Sequence, residues 1–180
     1  MTTASFVLAA AQLLAPGRDH TVLATAIATR VDAEAPLFQA DTDKRKTAAW
    51  LVAVAFRESS LRLDAVGDHG HSVCAFQIYG GAQALLTDAD RCVSVAFYML
   101  RTSMRYCPAF PLAWYAAGGD AAKACASPQA QRLSRDRSAL ASRLVRDVKV
   151  PTTASLFLPH GVAPRPSDPC VLNRREEEAA

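Results

Sequence analysis

No stretch of this chain is long and apolar enough to cross a membrane as a helix. The longest unbroken apolar run, Ala48 to Phe56, has nine residues, about half of what a span requires. No Lys or Arg precedes Arg18. The apolar N-terminus therefore lacks the positive region of a secretory signal and reads as a first amphipathic helix. No CxxC pair and no Cys/His cluster occurs, so the usual spacing of a structural metal site is missing. No internal repeat is visible, which argues against a solenoid. Most of the chain also lacks any charge excess, since residues 1–128 hold eleven Lys/Arg and eleven Asp/Glu. Residues 129–149 hold six basic and two acidic residues, and the remainder sums to −1. The net charge of +3 thus belongs to one helix-sized segment, too local to mark a nucleic-acid binder.

What is present fits one soluble domain. The chain has 180 residues, 51% of them apolar, enough for one core and too few for two domains. Helical spacing dominates: residues 4–15 and 20–34 carry Ala, Leu, Val and Ile three and four apart. Asp41-Thr42-Asp43 precedes Lys44–Glu58 and supplies N-cap chemistry to a third helix. That helix is apolar on most sides, so it is expected to be central and buried. Between Leu61 and Gly81 the pattern changes to turns and short strands, with Gly67, Gly70, Gly80 and Gly81 among Asp64, Asp68, His69, His71 and Ser72. Helices resume at about 82–86, over 88–106, around 111–117 and 120–126, and from Pro128 to about Asp147. Ser127 is placed to cap the last of these ahead of a first-turn proline. The fold class is mainly α, with a small irregular or β element after the central helix. The domain is expected to end near residue 149. Five of the ten prolines lie between Pro151 and Pro169, so residues 150–180 read as a proline-rich extended tail.

Five cysteines (Cys74, Cys92, Cys107, Cys125 and Cys170) are many for a reduced cytosolic chain of this size. Two bridges and a spare thiol is one reading, with Cys107–Cys125 the preferred pair. A set of buried, reduced cysteines is the other.

Glu58 is the residue with chemistry to explain. It follows the nine-residue apolar run, separated only by Arg57, and a glycine-rich polar segment comes next. A carboxyl at the mouth of an apolar helix is partly desolvated, which disfavours its charged form. A protonated carboxyl is what cleavage of a glycosidic bond demands. The plain alternative is a solvated surface residue or the partner of an arginine.

Three ordered motifs surround it. Arg57-Glu58-Ser59-Ser60 is followed by Gly67-Asp68-His69-Gly70, then by Cys74-Ala75-Phe76-Gln77-Ile78. Farther on comes Ala113-Trp114-Tyr115-Ala116-Ala117-Gly118-Gly119. Together, over about residues 45–145, they resemble the lysozyme-like core of family-1 lytic transglycosylases and goose-type lysozymes. That family carries a Glu-Ser pair at a helix end, a Gly-Asp-x-Gly turn, a Gly-Leu-Met-Gln-Ile/Val strand and an Ala-Tyr-Asn-Ala-Gly segment. The resemblance implies a lysozyme-like domain over residues 1–149 and makes Glu58 the catalytic acid/base. Ser59 would orient it or touch the muramoyl group. Phe76, Gln77 and Ile78 would line the sugar groove, with Tyr115 near the glutamate. The implied partner is the glycan strand of peptidoglycan, and the reaction needs no metal or cofactor. Two positions depart from the pattern. Cys74 stands for the usual glycine, so a glycine-only backbone is not expected there without strain. Ala116 stands for asparagine, removing a substrate-binding amide.

One carboxylate suffices for a lytic transglycosylase, because the muramoyl C6 hydroxyl attacks the anomeric carbon. Inverting hydrolysis needs a second one. Asp68 is the candidate, and as a turn residue it can equally bond its own backbone. Where goose-type enzymes often have a further aspartate, this chain has Tyr79. His69 and His71 lack a third metal ligand at defined spacing. Trp114 and Tyr115 could stack on a sugar, or Trp114 could be core while Tyr115 faces the groove. On 129–149, Arg132, Arg135, Arg137, Arg143, Arg146 and Lys149 are expected to form a solvated face opposite an apolar stripe, with the polymer's carboxylates as one partner for it. The expected place of action is the bacterial cell wall or periplasm. A virion-associated phage enzyme would reach it without a cleaved signal, and a tail bearing Cys170 could tie the domain to a partner. The rival class is a non-catalytic lysozyme-like assembly protein, which the two departures favour.

Overall fold

A computed structural model describes residues 2–41 and 44–149; the proline-rich segment and Cys170 lie outside the described residues. Seven α-helices and one small antiparallel sheet make up this part: α1 (Thr3–Leu14), α2 (Thr21–Ala33), α3 (Arg45–Ser59), β1 (Val66–Gly67), β2 (Ser72–Val73), β3 (Ile78–Tyr79), α4 (Ala89–Tyr106), α5 (Ala113–Ala117), α6 (Ala121–Ala126) and α7 (Pro128–Asp147). The mainly α class with a short sheet after the central helix is as expected.

Helix α3 is the axis of the core. All nine residues from Thr47 to Ala55 are buried, so every face of the helix meets protein. It packs against α1, α2 and α7. The first helix contributes Phe6, Val7, Ala10 and Ala11 to the same core, as its amphipathic spacing predicts.

Several helices carry local side-chain caps, and the one at Ser127 is where the sequence puts it. Asp88 accepts from the Arg91 amide, Asp120 from Lys123 and Ser127 from Ala130, which satisfies first-turn donors of α4, α6 and α7. At α3 the arrangement differs. The N-cap residue is Lys44, in a left-handed conformation with no side-chain bond of its own. The cap is delivered from farther back, by Asp41. Its carboxylate takes the amides of Lys46 (3.0 Å) and Thr47 (2.6 Å) and the Thr47 hydroxyl (2.6 Å). Lys44 instead donates through Nζ to the carbonyls of Asp32 and Glu34 at the end of α2, both at 2.9 Å.

Two disulfides staple the fold, Cys74–Cys92 and Cys107–Cys125, so the oxidised reading holds and includes the preferred pair. Each closes an 18-residue separation, worth about 3 kcal/mol in the chain-entropy picture. Cys107–Cys125 holds a satellite cluster of Cys107, Ala113 and Ala130 with Phe110 and Trp114 against it. Cys74–Cys92 ties the segment after β2 to α4 inside the main core. Two bridges fit an extracellular or periplasmic protein, and no helix among the described residues is long and apolar enough to cross a membrane.

Candidate active site

Helix α3 ends where the sheet begins, and Glu58 sits at that junction. A cleft of about 540 Å³ opens over it, within the usual range for a ligand site. Glu58 lines it from α3, Asp68, Ser72, Gln77 and Tyr79 from the sheet segment, and Met99 from α4. Tyr115 to Gly119 line the opposite side from α5 and its end, with Leu133 and Arg137 from α7. Four of the seven residues singled out by the resemblance therefore share one cavity: Glu58, Asp68, Gln77 and Tyr115.

The other three do different work. The Ser59 hydroxyl donates to the carbonyls of Ala55 (3.1 Å) and Ala75 (2.8 Å) and accepts from the Arg62 amide (3.0 Å). It fastens the end of α3 to the loop after β2, so it supports the cleft from behind. Phe76 is fully buried and Ile78 nearly so; both side chains join the core and neither lines the groove. The carbonyl of Phe76 does face the site, since the Tyr115 hydroxyl donates to it at 2.5 Å.

Tyr115 is held at both ends. Its amide donates to the Ser103 hydroxyl of α4 at 3.0 Å, while the Leu112 amide donates to the Ser134 hydroxyl of α7 at 3.1 Å. Both serines are buried, and together they satisfy the exposed donors at the start of the five-residue helix α5. Burial pushes the Tyr115 phenol well above its ordinary range, the nearby Glu58 carboxylate adds to the shift, and the Arg137 guanidinium opposes it. Tyr115 is thus a fixed neutral donor near the glutamate. Trp114, on the other side of α5, packs edge-on to Tyr106 and donates to the Gly119 carbonyl at 3.0 Å. Trp114 is half-buried against the satellite cluster and is no core residue, while Tyr115 lines the cleft as expected.

The segment after β2 corrects one expectation. Cys74 does adopt the left-handed backbone, with φ +63°, and Gln77 follows at +47°. A non-glycine residue takes that region at a cost of about 1–2 kcal/mol. The bridge to Cys92 holds Cys74 there, and the Gln77 amide donates to the Cys74 carbonyl at 3.1 Å. Gly67 makes room for the same Gln77: a Cβ at position 67 would overlap the Gln77 side-chain oxygen. Asp68 accepts from the Ser72 hydroxyl across the turn, so its turn role is occupied while it also faces the cleft. His71 lies against Tyr79 at the rim, ring centroids 5.9 Å apart.

The residue missed by sequence reading is Arg137. It is only 6% exposed and donates through Nη2 to Glu58 Oε1, so the basic face expected on α7 loses one member to the interior. A usable signal was present. Ala130, Ser134, Arg137, Ala141 and Leu144 are all buried, and these positions recur at helical spacing, so Arg137 occupies a place in the apolar stripe. Glu58 is both of the things weighed for it, an arginine's partner and a carboxylate in a cleft. Its side chain is 18% exposed.

Comparisons with protein-family models, with curated proteins and with solved structures found no match.

Proposed function

We propose that this chain cleaves the β-1,4 bond between N-acetylmuramic acid and N-acetylglucosamine in peptidoglycan, as a lytic transglycosylase. The observation that carries the reading is the placement of Glu58: a largely buried carboxyl at a helix end, opening into a cleft of about 540 Å³ shared with Asp68, Gln77 and Tyr115. The motif resemblance over about residues 45–145 supports the same reaction. Glu58 protonates the glycosidic oxygen as the bond to the anomeric carbon breaks. The resulting carboxylate then takes the proton of the muramoyl C6 hydroxyl as that oxygen attacks the anomeric carbon. The products are a new 4-hydroxyl end and a 1,6-anhydro end, with no water consumed. Gln77 on the cleft wall supplies hydrogen bonds to the sugar. Two disulfides suit work at the bacterial wall, and delivery by a phage virion is part of the same proposal.

Digestion of purified sacculi by wild type and Glu58→Gln is the test. The variant should release glycan about 10²–10⁴-fold more slowly, and equal release by the two proteins would remove Glu58 as catalyst. Asp68 in the same cleft favours a second reading, inverting hydrolysis in the manner of goose-type muramidases. Mass spectrometry separates the two, because hydrolysis leaves reducing muramic ends where transglycosylation leaves anhydro ends. Retained glycan binding without turnover would instead point to the non-catalytic assembly role.

A further inference from the structure

A guanidinium carries five N–H donors, and Arg137 uses its Nη2 on Glu58 while its Nε and Nη1, both closed to solvent, have no hydrogen-bond partner among the described residues. The side chain is 7% exposed, so more than nine-tenths buried, and it lines the cleft. Unmet donors on a buried cation are rare and call for an explanation. None of the nearby acceptors is bonded to these two nitrogens, and each has another donor. Asp136 on the same helix pairs with Arg57 at 2.9 Å, Asp68 holds Ser72, and the Phe76 carbonyl receives Tyr115. Nη2 pairs with Nη1 in the end-on fork of a guanidinium and with Nε in the side-on fork. Each fork matches a planar carboxylate, and neither is filled by the single bond to Glu58.

We propose that Arg137 is the receptor for a carboxylate on the ligand, and that this carboxylate exchanges with Glu58 on the guanidinium. The proposal rests on the saccharide reading above and deepens it. Glu58 is engaged by Arg137, whereas a proton donor must instead face the glycosidic oxygen. An incoming carboxylate that takes a full fork of Arg137 releases the Glu58 carboxylate, which takes up a proton from solvent and then faces the glycosidic oxygen as the acid. Neutral glycan of the same length leaves the pair closed. Peptidoglycan offers this chemistry from two sources, the lactyl group of unsubstituted muramic acid and the stem peptide.

The test uses the full chain and three disaccharides of N-acetylglucosamine and muramic acid: one with a free lactyl carboxylate, one with that group as the methylamide, and one whose lactyl amide bears a stem peptide with free carboxylates. Affinity is read by calorimetry, and the Arg137 Nε–H by nitrogen-15 NMR, assigned by its loss in Arg137→Lys. At least one carboxylate form should bind about tenfold tighter than the methylamide and move the Nε–H signal. The tighter of the two identifies the source. Arg137→Lys, which keeps the charge and loses the fork, should erase most of the difference. Equal affinity for all three in the wild type overturns the proposal and leaves the glycosidase reading standing. Binding of none of them, with the Nε–H signal still shifted by sodium D-lactate alone, keeps the anion site and removes the saccharide reading. No shift with lactate or any disaccharide overturns the site outright.

Discussion

Each end of α3 has a carboxylate, buried at Asp41 and partly buried at Glu58, and among the described residues the two are served by very different numbers of donors. Asp41, 5% exposed at the N-terminal end, accepts three hydrogen bonds, from two amides and a hydroxyl. Glu58 at the C-terminal end accepts from one guanidinium, and that guanidinium has donors to spare. A fully satisfied buried network stiffens the structure around it. A partly satisfied one costs stability and persists where something else uses it. One end of the helix is built to hold the fold, the other to be disturbed by a ligand.

The contrast breaks most sharply at the pair itself. Glu58→Leu alone strands a buried cation and should lower unfolding free energy by about 3–5 kcal/mol. Adding Arg137→Met removes that stranded charge, and the double variant should be as stable as wild type or about 1–3 kcal/mol more stable, with glycan release abolished. Urea denaturation of the three proteins checks this. A double variant no better than the single one would mean the pair holds the fold as Asp41 does.

Asp41→Ala gives the next largest effect and tests the other end. It orphans the buried Thr47 amide and hydroxyl and uncaps α3, for a loss of about 2–3 kcal/mol. Asp41→Asn keeps one acceptor and should lose less. Affinity for saccharide in the cleft should stay unchanged once the folded fraction is accounted for. A weakened affinity of the folded protein would show that the two ends are coupled through the helix.

How much of this was legible follows the range of the forces involved. The course of α3 could be read because nine consecutive apolar residues leave no face for water. The cap at Ser127 could be read because a cap is a contact three residues long. Cys107–Cys125 was the preferred pair, but loop length does not set it apart, since Cys74–Cys92 closes the same 18-residue separation. The Asp41 cap was half readable: Asp41 does serve the start of α3, but the donors it serves lie five and six residues on, beyond ordinary capping distance. Ser59 was placed by motif and misjudged by role, since its acceptor is the Ala75 carbonyl sixteen residues away. The pairing of Arg137 with Glu58 spans 79 residues, and no local pattern encodes it. Only the stripe position of residue 137 hinted at it, and an arginine on a basic helix reads first as solvated. Cys74 shows the limit from the other side. Substituting glycine suggested an ordinary backbone, yet a covalent tie to α4 kept the left-handed one.

The smallest predicted effect bears most directly on the division between holding and binding. Gly67 has an extended backbone, φ −127° and ψ 179°, which any residue can adopt, so alanine there carries no conformational penalty. What it meets is the far end of Gln77, a flexible side chain that can swing aside. Gly67→Ala should therefore change stability by less than about 1 kcal/mol. Swinging aside, however, moves the Gln77 amide off the Cys74 carbonyl and out of its place on the cleft wall. Saccharide affinity should fall severalfold, about the value of one hydrogen bond, with the unfolding midpoint nearly fixed. The reverse outcome, a lowered midpoint with unchanged affinity, would make Gln77 a prop of the sheet and move it to the side of the molecule that Asp41 represents.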